Sequence, residues 1–397
     1  MQTQQTVPDY PSHGFAGEPH ALPEGPVARV RLPSGSVVWL VTGYEEVRAA
    51  LAQPVFSREL KEGDPRVGSA GVPGGPVRVA RTLQSDGSAH LELRRLAARP
   101  FTPRRIEALR ERVQELTDGY LDAMEASGAP ADLVAGLAYP LPITVIADLL
   151  AVPEADRPRF AGLSDTLVTV LGVSEEEADA ARAGIQRCFG ELIAARREVR
   201  GDDVISGWLT AAEEDGVPLT DGEVARLAQT VLVGGYETTV NTIGAGMWRL
   251  FQHPEQLAAL RDDPGLIRGA VEEILRHQPQ GSFFLILVAR EDVELGGVTI
   301  REGEGVMPLP YAANRDPARF PDPDRFDILR PPVGHVTFGY GPHACLGSAL
   351  ARIELEVTLT GLLRRFPRLR PVATDLNALP WRHDRLVCGL KELYVDW

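Results

Sequence analysis

The stretch "FGYGPHACLG", Phe338–Gly347, decides how the rest of the chain is read. It sets Cys345, one of only three cysteines in 397 residues, among glycines and just ahead of a run with helical periodicity. A cysteine in that position lies near exposed backbone N–H groups and the positive end of a helix dipole. Both favour thiolate over thiol. Gly341 permits a tight turn, and Gly347 lets the backbone come close to the sulfur. Phe338 can shield that sulfur from water.

A shielded, hydrogen-bonded thiolate suits an axial ligand that pushes electron density onto a haem iron. Two other readings compete with it. Cys345 could be a buried structural cysteine, the usual state of a free thiol, or a nucleophile with His343 as its base. The spacing F-x-x-G-x-x-x-C-x-G weighs against the structural reading. With 12 Phe, 39 Gly and 3 Cys in the chain, a chance match is on the order of one in a thousand chains.

The totals narrow the field. The chain is 44% hydrophobic and 24% charged, with a net charge of −14. Such an acidic chain is a poor candidate for nucleic acid or an anionic membrane. Cys188, Cys345 and Cys388 are far apart with no C-x-x-C spacing, so zinc, iron–sulfur and disulfide frameworks lack support and a reducing, cytoplasmic compartment is expected. The proline-rich N-terminus has no apolar signal region. The long apolar run Leu227–Phe251 contains Gln229, Glu237 and Asn241, so it reads as a buried core helix and not a membrane span. No phosphate-binding loop, dinucleotide fingerprint or ferredoxin-type cysteine run occurs.

Outward from the cysteine, the pattern predicts a fold that is mostly α with a small β region. Residues 1–27 read as an irregular N-terminal arm and 28–397 as a single domain. Val27–Thr42 reads as a hairpin, and helical periodicity runs from near His90 to His277 with breaks at Pro153 and Gly216. Short strands follow, turning at Gly296-Gly297 and Glu302–Gly305, then a proline- and aspartate-rich loop. After Cys345, Leu346, Ala349, Leu350, Ile353 and Val357 share one helix face.

Three further segments carry weight. In "EEILR", Glu273 and Arg276 stand three apart on a helix and can pair, most simply on the surface. In "GGYETT", adjacent glycines inside a helix cost roughly 1 kcal/mol each. Thr238 can bond the Gly234 carbonyl and distort the helix there, while Glu237 beside it makes an acid–alcohol pair. In "HLELRR", His90 and Arg94 lie one helical turn apart and could serve a carboxylate.

Taken together and in their order along the chain, these segments resemble the cytochrome P-450 family, the haem-thiolate monooxygenases, most closely its soluble bacterial members. The resemblance spans nearly the whole chain. It implies the cytochrome P-450 fold, haem b as cofactor, and insertion of one oxygen atom from dioxygen into a nonpolar or amphipathic small molecule, as in tailoring of a secondary metabolite. Cys345 would be the iron ligand. Phe338, Gly341 and Gly347 would shape its loop, and His90, Arg94 and His343 would hold haem propionates. Gly234 would open an oxygen-binding groove, with Glu237 and Thr238 delivering protons. Glu273 and Arg276 would be scaffold. Oxidative coupling on the same haem, a gas-binding haem protein and a haem-free cysteine hydrolase are the alternatives.

The resemblance also implies separate electron donors, a ferredoxin and a ferredoxin reductase, and a cytoplasmic monomer without nucleic acid or membrane. Seven arginines between Arg94 and Arg112, with Arg352, could dock an acidic ferredoxin. Substrate contacts are expected at Val77, Leu83, Leu232, Val233, Phe283, Phe284, Leu285, Leu386 and Val387. One position departs from the family pattern. Leu287 stands where an arginine is usual, and Arg290, three residues on, belongs to the opposite face of a strand.

Overall fold

The computed structural model describes residues 24–32, 35–59, 85–169, 171–278, 285–332, 334–385 and 387–397. The alternating valines near the start of this range form the expected hairpin. β1 (Val27–Arg31) and β2 (Val37–Val41) pair antiparallel, in register from Val27↔Val41 to Arg31↔Val37. β2 continues in parallel onto β8 (Gly305–Pro308), which joins β5 (Leu287–Ala289) and then β3 (Phe56–Ser57). β6 (Val293–Leu295) and β7 (Val298–Ile300) turn at Gly296-Gly297, both at positive φ. Near the C-terminus, β12 (Tyr394–Asp396) lies between β4 (Ala131–Asp132) and β9 (Arg370–Pro371), and β10 (Trp381–Arg382) pairs with β11 (Gly389–Leu390).

Helices dominate the rest. α1 (Tyr44–Ala52) lies against the sheet and the cysteine loop, followed by α2 (Gly87–Ala98) and α3 (Pro103–Ser127). α4 (Pro140–Leu149), α5 (Arg157–Val168), α6 (Glu175–Glu198) and α7 (Val204–Asp215) lead to α8 (Asp221–Gln252). The start of α8 is written locally. The Thr220 side chain accepts from the Glu223 N–H while the Glu223 carboxylate accepts from the Thr220 N–H, a reciprocal capping box. Pro254 begins α9 (Pro254–Asp262), and α10 (Ile267–His277), α11 (Pro310–Ala313) and α12 (Ser348–Arg365) complete the set.

α8 is buried on nearly every side and packs on α4, α6, α10 and α12. A helix apolar all round belongs in a core or a membrane. Here it is core, and no described helix is long and apolar enough to cross a membrane. α12 runs beside α3, tied by Arg110–Glu356, Arg364–Asp118 and Arg365–Glu125. Leu350, Ile353 and Val357 of α12 are buried, but Ala349 is exposed. The buried face therefore begins at Leu350, while Leu346 is only half-buried.

The Glu273–Arg276 pair is not the surface ion pair that its spacing alone allows. It is buried, with both side chains about 2% exposed. The two contacts, Arg276 Nε to Glu273 Oε2 and Nη2 to Oε1, are 2.7 and 2.8 Å. Arg276 also donates to the carbonyls of Asn314, Pro323 and Arg325, and Glu273 accepts from the Asp327 N–H at 2.9 Å. The proline- and aspartate-rich loop is thus pinned to α10 by its backbone. Arg330 reaches Glu273 at 3.4 Å, a third member that the sequence reading missed. Glu273→Gln leaves a buried guanidinium short of a counter-charge. It should cost about 3–5 kcal/mol in urea unfolding, and an unchanged midpoint would show the pair to be dispensable.

Candidate active site

The cysteine loop is shaped by its glycines and by α1. Gly341 has φ 76, and a Cβ there would lie 2.9 Å from the Ala52 Cα. Both the conformation and the contact require glycine. The Cys345 N–H donates to the Phe338 carbonyl at 2.7 Å, closing the turn. The Phe338 ring is capped by the Arg352 guanidinium at 4.6 Å. The Cys345 side chain is exposed, yet protein surrounds it densely enough that burial pushes its thiol up. Both hold for a residue on the wall of a cleft. The Gly347 N–H, Arg94 and Arg352 pull the other way and do not win. The expected helix-end preference for thiolate is therefore overridden by desolvation, and a cation at the sulfur must supply it.

His90, Arg94 and His343, scattered in sequence, meet at this loop. His90 Nε2 lies 3.3 Å from the Pro342 carbonyl, and Arg94 donates to the Ala344 carbonyl. The His90 and His343 rings stack with centroids 3.8 Å apart. Burial, followed by Arg58 and His90, holds His343 down to about 4, against the pull of Asp86 at 3.3 Å. Burial and Arg94 hold His90 below its ordinary value, with the Pro342 carbonyl opposing. The Nδ1 atoms of both rings are buried without a partner. Arg58 joins the cluster: burial brings it to about 10, with Asp86 raising it and Arg94 lowering it. Asp86 accepts from Ser57 Oγ, the Arg58 N–H and His343. Arg58 and Asp86 escaped the sequence reading because neither lies in a motif and the fold alone brings them here.

Leu287 is buried in β5 at 2% exposure, so no charge enters from that position. Arg290 turns to the surface, where it meets Ser57, Glu59 and Asp86. This is the opposite-face outcome that strand geometry requires.

α8 carries the second group of candidate residues. Gly234 is exposed in mid-helix, and a Cβ there would meet nothing within 4 Å. Thr238 Oγ1 donates to the Gly234 carbonyl at 2.9 Å. The helix nevertheless runs on unbroken, so the expected distortion does not reach its hydrogen-bond pattern. Glu237 is 4% exposed. Burial raises its carboxyl to about 7, with Arg385 and Asn241 opposing. Asn241 donates to Glu237 at 3.4 Å and to the Val387 carbonyl at 3.2 Å.

Of the expected substrate contacts, Val77, Leu83, Phe283, Phe284 and Leu386 lie outside the described residues. Val233 and Leu285 are half-buried. Val387 is buried and offers its carbonyl to Asn241. Leu232 must be corrected: it is fully buried in the main core, about 200° round the helix from Gly234. The arginine patch is also changed. Arg95, Arg99, Arg105, Arg110 and Arg112 all form ion pairs, Arg94 faces the cysteine loop, and Arg352 pairs with Glu272.

An exposed thiol, two imidazole rings whose buried Nδ1 atoms have no partner and can take up a proton beside an anion, and a pair of arginines with little negative charge between them fit a haem with its iron and carboxylates. A profile of the cytochrome P-450 family matches residues 265–380. Nocardicin C N-oxygenase of Nocardia uniformis subsp. tsuyamanensis is 45% identical over 94% of this chain and 93% of its own. The monooxygenase PikC of Streptomyces venezuelae is 42% identical over 96% and 92%. Among solved structures, the hydroxylase LnmA of Streptomyces atroolivaceus matches with a TM-score of 0.88 at 40% identity, covering 98% of this chain and 100% of that one. A variant of MycG with mycinamicin IV bound reaches 0.89 at 40% identity, with the same coverage.

The chain belongs to the cytochrome P-450 family and has its fold. It is a monooxygenase whose cofactor is haem, and it draws electrons from separate redox partners.

His343 gives a pH signature. Its folded pKa lies below the unfolded value, so the unfolded chain binds the extra proton in the window between. Without haem, stability should fall as pH drops from about 6.5 to about 4. Urea midpoints measured across that range on haem-stripped protein, beside His343→Gln, test this; parallel curves for the two would refute it.

Proposed function

We propose that residues 28–397 act as one domain that binds haem b between the Cys345 loop and the Gly234–Thr238 face of α8. Haem b, when bound, supplies the activation of dioxygen and the insertion of one oxygen atom into a carbon or heteroatom of the substrate. The observation that carries the assignment is the open thiol of Cys345 in a loop clasped by Arg94 and the stacked pair His90–His343. In this reading Cys345 holds the iron. His90, Arg94, His343 and Arg58 neutralise the propionates, and Phe338 keeps water from the sulfur.

Glu237 and Thr238 manage protons. The Thr238 hydroxyl spends its hydrogen on the Gly234 carbonyl, so its lone pairs remain to accept from a water in the groove. Glu237 carries a proton through much of the neutral range because burial disfavours its charge. Glu273 and Arg276 fix the loop behind the cysteine. The substrate is proposed to be a nonpolar or amphipathic secondary metabolite, in keeping with the antibiotic-related names of the relatives. A ferredoxin and its reductase are proposed as donors, to a monomer in the cytoplasm. With the arginine patch largely paired, the docking face is a mixed-charge surface.

Two measurements test this. The reduced protein with carbon monoxide should show the thiolate-type absorption band, and Cys345→Ala should abolish it; a band that survived would remove Cys345 as ligand. Thr238→Ala should lower product formed per electron on the order of tenfold, with hydrogen peroxide making up the difference. Unaltered coupling would end the proton-delivery role.

A further inference from the structure

Glu237 is not isolated in its helix. Arg385, from the segment between β10 and β11, places Nη1 4.0 Å from Glu237 Oε2. The guanidinium does not close on that carboxylate, because Asp165 at the C-terminal end of α5 holds it in two contacts of 2.5 and 2.8 Å. Asp165 in turn accepts from the Tyr139 hydroxyl at 3.4 Å. The backbone reinforces the junction: Thr169, just past α5, forms a β-bridge with Arg385, and the Leu171 N–H donates to the Asp384 carbonyl. Arg385 Nε and the Tyr236 hydroxyl are buried here without partners.

We propose that Arg385 is a positioning residue for Glu237, held back from it by Asp165, so that the seating of α5 on the C-terminal segment sets the charge of the oxygen-side acid. The inference rests on the proton-delivery reading above and adds a control to it. While α5 is seated, Asp165 absorbs most of the Arg385 charge and Glu237 can keep its proton. If α5 separates, Asp165 leaves and Arg385 is free to close the 4.0 Å gap. Glu237 then ionises and the proton source is withdrawn. The charged and titratable groups facing Glu237 are Arg385 and Arg382 from the C-terminal segment, Asp165 from α5, Tyr139 ahead of α4, and its own neighbour Tyr236.

Simple electrostatics gives the two partners opposite signs. Asp165→Asn keeps the shape and a hydrogen-bond acceptor but removes the competing charge, so the Glu237 midpoint should fall by about one pH unit. Arg385→Gln should raise it by a similar amount, and Arg385→Lys should restore it most of the way. The readout is an infrared pH titration of the haem-loaded protein, with the Glu237 carboxyl band identified by its loss in Glu237→Gln. Opposite displacements in the first two variants support the proposal. Equal or same-sign displacements overturn it, since a general loosening would move both alike. The alkaline limb of product per electron, where Glu237 loses its proton, should track the infrared midpoints in the same variants. Failure of Thr238→Ala to uncouple would instead strike the proton-delivery reading and leave the titration result standing.

Discussion

One buried ion pair fixes the frame in which the rest of this enzyme is built. Glu273 and Arg276 meet almost out of contact with water, where an unpaired charge would be very costly. The cost is offset because every remaining donor of Arg276 finds a backbone carbonyl of the loop between α11 and the cysteine. The pair therefore works as a clamp more than as a source of stability. It converts a proline-rich segment with few backbone bonds of its own into a fixed platform. Asn314 extends the clamp, accepting from the Val336 N–H and donating to Thr337 Oγ1 just before Phe338. The position of Cys345 is set at the end of that chain of contacts.

Charge is divided between the cysteine loop and α8. On the cysteine side, Arg58, Arg94, His90 and His343 crowd together with Asp86 as their main counter-charge, and burial presses each of the four toward its neutral form. Such a cluster gains most when an anion arrives. Leu287 contributes nothing to it, and Arg58 brings a cation from the far edge of the same sheet. On the α8 side the balance is reversed: burial pushes a carboxyl toward its protonated form, with Arg385 near but occupied. The proposed seat for haem carboxylates and the proposed proton path call for these opposite polarities.

The mostly helical course, the hairpin, the loop around Cys345 and the candidate residues Glu237, Thr238, His90, Arg94, Glu273 and Arg276 could be picked out because each rests on local spacing. A helical i,i+3 or i,i+4 pair and a glycine turn are written within a few residues. The burial of Glu273–Arg276 was not legible, since the same spacing serves a surface pair. Neither were the outward turn of Ala349, the inward turn of Leu232, or the pairing of the arginine patch with acids from α7 and elsewhere.

By itself, the sequence determined which chemistry this protein could perform: a lone cysteine in a glycine frame, a threonine four residues after a glycine, an acid beside it. Tertiary structure alone decided the state of those groups. It brought Arg58 and Asp86 to His343 and set Arg385 between Asp165 and Glu237 across more than two hundred residues. It also let burial outweigh the helix end at Cys345. The reason is physical: spacing along the chain fixes which side chains share a helix face, whereas desolvation and long-range charge depend on what the rest of the fold packs around them.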